Sequence, residues 1–214
     1  MREPDGGSPA AHYFAWWFFF FFLYLMFLTI PLALGLQKNL LGHFYNIAIV
    51  ALFVGSIYII RVPFDVLFTR QQTFKRWFYA ALWVFVVIIG IIQFIFPANP
   101  FLDAKNKFII WNPHPFAATL TTWGLIAVAV LFAITFIVGA FRTKNRLVRI
   151  RSVFFAMGAV ALGVATIYYG AKSAREIIIS MIFVIGGLVL LASGLMIKVF
   201  RDTSLSAGRQ KTWR

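Results

Sequence analysis

The chain contains no cysteine, which excludes disulfides, thiolate metal sites, a cysteine nucleophile and S-palmitoylation. Acids are nearly as scarce: six Asp and Glu stand against 20 Lys and Arg in 214 residues, for a formal charge of +14. So few carboxylates leave general acid–base catalysis little to use. Also missing are H-E-x-x-H, G-x-S-x-G, a Walker A loop, and any Asp-rich motif for a metal and a phosphate. These absences predict a non-enzymatic protein with no catalytic residue and no metal site. They leave open which cofactor, if any, is bound.

What is present is apolar. Hydrophobic residues make up 62% of the chain and aromatics 19%, against 12% charged. A soluble domain carries about 25% charged residues, so the surplus apolar surface here calls for hydrocarbon around it. Nucleic-acid binding, the usual reading of so basic a chain, is excluded as a partner class because the cations sit between long apolar runs and do not share one soluble face. A spanning helix needs about 20 apolar residues. Six runs qualify, at 13–36, 41–60, 77–96, 116–141, 153–169 and 177–199. Their continuity excludes a membrane β-barrel, whose strands alternate over about ten residues. The expected fold is therefore all-α, a polytopic helical bundle. It comprises a polar N-terminal tail at 1–12, one transmembrane domain at 13–200 with an uncleaved first span, and a basic cytoplasmic tail at 201–214.

Lys and Arg in short loops orient such a bundle. With the N-terminus inside, fifteen of them fall on the inner face, while Lys38, Lys105, Lys107, Lys172 and Arg175 fall on the outer one. The expectation is N-in/C-in in a prokaryotic inner membrane. Tyr and Trp prefer the headgroup level; Tyr13, Trp16, Trp17, Trp77 and Tyr79 mark the inner boundary, and Tyr45, Trp111, Tyr168 and Tyr169 the outer one. Trp83, Trp123, Tyr24 and Tyr58 lie deeper and are expected to face other helices.

Five consecutive phenylalanines, 18–22, cover every side of the first span, so much of it is expected to meet lipid or a partner. Pro31 is expected to kink its outer end. The fifth span is the opposite in texture: Ala159 with Gly163, and Ala161 with Ala165, form small-xxx-small pairs that let backbones approach. It is expected at the packed centre, against the sixth through Gly186, Gly187, Ser193 or Gly194 and against the fourth, with self-association as the alternative.

Three groups of residues carry candidate chemistry. His43 and His114 both fall on the outer face and form a conceivable pair of ligands for haem, chlorin or metal. Asn46, Thr119, Thr122 and Thr166 are candidate members of a polar pathway, although they, Ser56, Gln93, Thr121, Thr135 and Ser180 are also explained as interhelical or backbone bonding. Asp65 is expected to pair with Arg61. The inner loop 142–151 carries Arg142, Lys144, Arg146, Arg149 and Arg151 with no acid; it reads as a topology anchor, a surface for anionic lipid, or a dock for an acidic partner. The outer loop 97–115 has four prolines and is expected to fold back on the bundle as a stiff lid.

From Trp111-Asn112-Pro113-His114-Pro115-Phe116 through Trp123 and Phe141-Arg142-Thr143-Lys144 to the basic run at 146–151 and the small-residue helix after it, residues 111–170 resemble the multi-helix membrane input region of bacterial histidine kinases. That resemblance implies signal reception without catalysis, the output coming from a separate protein. The expected role is an accessory subunit of a membrane complex or a membrane sensor, with lipids and other membrane subunits as partners. The alternatives are a small transporter or channel using Asn46, Thr119, Thr122 and Thr166, and a cofactor-carrying subunit of an electron-transfer complex using His43 and His114.

Overall fold

A computed structural model describes residues 9–67, 71–103, 108–168 and 173–211. Among the described residues there are six helices: α1 Pro9–Ala33, α2 Lys38–Leu67, α3 Gln72–Ile95, α4 Pro115–Arg142, α5 Arg146–Ile167 and α6 Ala174–Lys211. All six are long and apolar enough to cross a membrane, which makes the chain a multi-pass membrane bundle. The tail at 1–8, Arg70, Lys105, Lys107, Tyr169, Lys172 and Arg214 lie outside the described residues. Positions 201–211, read from sequence as a tail, continue α6.

Short connections make α1 and α2, and α4 and α5, antiparallel neighbours. One end of the bundle collects the starts of α1, α3 and α5 and is the basic end; the other carries the loop between α3 and α4. The α1–α2 turn is a helix cap in which Leu36 N–H donates to the Pro31 carbonyl at 3.2 Å and Gly35 N–H to the Leu32 carbonyl at 3.1 Å. Gly35 takes φ +62°, the left-handed conformation such a cap requires. Pro31, expected to kink the helix, thus stands in its last turn. Asn145 caps α5, its side chain accepting from Leu147 N–H at 3.0 Å and Val148 N–H at 3.5 Å.

The packed centre is α2, and not the fifth helix expected there from its small residues. Ala48, Ile49, Phe53, Ile57 and Ile60 are all buried, and α2 packs against α1, α3 and α4. The physical reason is that α2 has neighbours on three sides, whereas α5 packs on α4 and α6. Small residues do bring α5 and α6 together as expected: a Cβ on Gly158 would stand 2.9 Å from the Gly187 carbonyl oxygen, and one on Gly187 would stand 3.0 Å from that of Gly158. Gly186 contributes nothing, since its Cα faces open space.

The first helix resolves its aromatic run by helical spacing. Phe14, Trp17 and Phe21 are buried on one stripe, while Trp16, Phe19 and Phe22 face outward. Phe14 stacks on Phe155 at 5.3 Å and meets Phe132 edge-on at 6.5 Å. Trp83 and Trp123 overturn their expectation, being 39% and 66% exposed. Surrounded by lipid in place of water, a deep tryptophan gains no hydrophobic reason to turn inward. Tyr58 does face a neighbour, stacked with Trp16 and Phe20 at 5.7 Å each.

Polar residues inside the spans divide into two uses. Ser56, Thr119, Thr135 and Thr166 donate to carbonyls of their own helices. Asn46, Gln93 and Thr121 instead join three helices: Asn46 Nδ2 donates to the Gln93 carbonyl at 2.7 Å, and Gln93 Nε2 to Thr121 Oγ1 at 2.9 Å. All three are buried, and they anchor α3, which otherwise exposes most of its surface.

The 97–115 loop folds back on the bundle and contains a two-stranded antiparallel hairpin that the sequence reading did not anticipate, β1 Phe101–Asp103 and β2 Phe108–Ile110. Trp111 stacks on Tyr45 at 5.0 Å. Gly42 is what admits the loop: a Cβ there would stand 2.5 Å from the Ala98 carbonyl oxygen.

Candidate functional site

A lateral cleft follows from the packing order. α1 rests on α2 and α6 on α5, but α1 and α6 form no extended contact among the described residues. Between them lies a cleft of about 470 Å³ with its floor on α2, α4 and α5. Trp17, Phe21, Phe132 and Leu191 line it toward the basic end; Tyr45, Trp111, Asn112 and Tyr168 line it toward the hairpin. Asn112 takes φ +42°, a left-handed conformation that Asn tolerates better than most residues, and its carbonyl accepts from Asn99 N–H at 3.2 Å. Apolar walls with a few polar groups at one end suit the binding of an apolar molecule.

The basic end holds two charged features. In the first, the Asp65 carboxylate at the end of α2 accepts from Lys75 Nζ at 2.9 Å and from the Tyr13 and Tyr79 hydroxyls at 3.0 and 3.3 Å. The expected Arg61–Asp65 pair is replaced by this Lys75–Asp65 bridge between α2 and α3. Arg61 instead lies over the rings of Tyr13, Tyr58 and Tyr79, at 5.9, 5.4 and 5.0 Å, where the ring faces attract a cation. Tyr79 stands one helical turn after Lys75, a spacing that signals a shared face, but its partner on α2 has no signature in sequence.

The second is the turn between α4 and α5. Arg142, Lys144, Arg146 and Arg149 are exposed, and Arg149 also donates to the Thr143 carbonyl at 3.2 Å. Arg151 differs: its Nε donates to the Gly194 carbonyl at 2.9 Å, bracing α5 on α6. Gly194 has no side chain to shield that oxygen.

The remaining sequence candidates are dispersed. Asn46 is buried with Gln93 and Thr121, Thr166 lines the cleft, Thr119 is exposed, and Thr122 is partly buried without lining the cleft. No common pathway joins them among the described residues. His43 and His114 are both exposed; His43 lies against Phe94 at 6.5 Å, and His114 stacks on Phe96 at 4.5 Å while its Nδ1 accepts from Phe116 N–H at 3.3 Å as the cap of α4. No group of three or more metal-ligating side chains occurs among the described residues.

These features define a class: a multi-pass helical membrane protein with a lateral apolar cleft and an exposed basic turn. No family model, no curated protein and no solved structure matches the chain.

Proposed function

We propose that this chain is a non-enzymatic protein of a prokaryotic inner membrane, an accessory subunit or sensor that docks an acidic partner at the α4–α5 turn. The observation that carries the reading is that Arg142, Lys144, Arg146 and Arg149 are exposed and that none of them is ion-paired among the described residues. Unpaired surface cations attract anionic partners from a distance and contribute about 1 kcal/mol each at a membrane surface. Outward aromatics such as Phe22 on α1 and Trp77 on α3 offer a further membrane-embedded contact face. The reading takes both termini as cytoplasmic, in keeping with the gathering of Lys75, Arg76 and the α4–α5 cations at one end, with only Lys38 and Arg175 described at the other.

Two measurements test it. A protease-accessible tag at residue 100 is expected to be protected from the cytoplasmic side; cleavage there would invert the topology. In a mild-detergent pull-down quantified by mass spectrometry, a partner recovered one-to-one with the native chain is expected to bind at least about thirtyfold more weakly in Arg146→Glu/Arg149→Glu, since each reversal removes an attraction of about 1 kcal/mol and adds a repulsion. Equal recovery from both would remove the docking role. Arg151 is left intact because it braces α6.

A further inference from the structure

The cleft between α1 and α6 has three properties that together select an occupant. Among the described residues, none that lines it is Asp, Glu, Lys, Arg or His. A carboxylate, phosphate or ammonium group seated there would lose hydration without gaining a counter-charge. Second, polarity is graded along it. The hairpin end offers Tyr45, Trp111, Asn112, Thr166, Tyr168 and Ser180, whereas the far end has apolar and aromatic walls such as Phe21, Phe132 and Leu191 together with Ser56, whose hydroxyl already donates to the Leu52 carbonyl. The Thr166 and Ser180 hydroxyls already donate to the Gly163 and Ala165 carbonyls, at 2.7 and 3.2 Å, so their oxygens face an occupant as acceptors.

The third property is size and access. At about 30 Å³ per water-sized group, a cavity of about 470 Å³ has room for roughly 16 such groups. That is one hydrocarbon chain and not the two of a phospholipid. A helix about 10 Å across would fill the same volume with roughly one turn, so a partner's transmembrane segment does not seat here. Leu25 on α1 and Met181 on α6 stand at the lips and are exposed, which opens the cleft sideways to the bilayer.

We infer that the cleft binds a single linear lipophile with an uncharged hydroxyl- or carbonyl-bearing head, the head lying between Tyr45, Trp111 and Tyr168 and the chain running toward Phe132. The ligand enters from the membrane, between α1 and α6. Its binding is independent of any partner at the basic turn, so loss of one leaves the other measurable.

The test uses the full chain in phosphatidylcholine nanodiscs and a monoacylglycerol probe with a diazirine at its chain terminus. Photolabelling is expected to saturate and to map to peptides of α1 and α4 around Phe21 and Phe132. Competition by unlabelled monodecanoin is expected to exceed that by decanoate by about tenfold, because the carboxylate finds no counter-charge. Val184→Trp, which fills the cleft from α6, is expected to cut labelling by about tenfold, whereas Ile182→Trp, on the outward face of α6, leaves it unchanged. Leu25→Trp on the opposite lip is the second blocking variant, and the folding of each is checked by its thermal melt. Equal competition by decanoate on the native chain would overturn the neutral head. Labelling spread over the lipid-facing surface of α3, or undiminished in a folded blocking variant, would overturn the site.

Discussion

Asp65→Asn is expected to destabilise the bundle by about 2 kcal/mol, and Asp65→Asn/Lys75→Met to recover most of that loss. The Lys75 side chain is only 8% exposed, and its ammonium has Asp65 as its salt-bridge partner at 2.9 Å, so neutralising the carboxylate strands a buried charge. Breaking a fully buried pair costs about 3–5 kcal/mol. Here the Asp65 side chain is 36% exposed, and water reaching that side lowers the figure. Replacing the lysine as well removes the stranded charge, which is why the double variant recovers. The carboxylate also holds Tyr13 of α1 and Tyr79 of α3, so a looser α1 is expected along with the lost stability. Unfolding in mixed micelles, followed by circular dichroism, measures all three chains. Identical transitions for the native chain and Asp65→Asn would show that the bridge contributes nothing.

Gly187→Val is expected to lose about 3 kcal/mol, because overpacking a filled interface forces side chains or backbone to move. Its Cβ would meet Leu162 Cγ at 2.9 Å and the Gly158 carbonyl at 3.0 Å, and the second of these is backbone that cannot swing aside. Branching at Cβ adds two more atoms to the same gap. Gly186→Val is the internal control: nothing lies within 4 Å of its Cβ, and it shares the sequence neighbourhood and helix propensity of Gly187. The two melts are therefore expected to separate clearly, and coincident melts would mean that α5 and α6 are not held at this spacing.

Much of the architecture was legible in sequence because membrane spans are set by length and apolarity, quantities that survive without any knowledge of neighbours. The α5–α6 contact was legible for a related reason: only small residues permit close backbones, and Gly187 and Gly194 advertise it. What could not be read was rotation about each helix axis. In water, burial follows the apolar stripe, but in lipid an apolar side chain is satisfied on either side. Trp83 and Trp123 were assigned inward by their depth and turned outward. The same loss of contrast hid the central place of α2. Asp65 failed differently, since Arg61 was the near cation along the chain while Lys75 reaches it from α3. Of the candidate site, the basic turn was visible as a run of charge, with Arg151 set apart only by its reach to Gly194. The cleft had no signal at all, because it is defined by two helices that form no extended contact among the described residues.

The aromatic stack at Phe14 has a consequence for how the protein is made. Its partners Phe132 and Phe155 emerge from the ribosome well over a hundred residues later. At synthesis rates of about 5–20 residues per second, roughly 140 residues take about 7–28 s. Through that interval α1 resides in the bilayer with its inward stripe facing lipid, held first by α2. Assembly of this part of the bundle is therefore post-insertional, completed when the fifth helix arrives.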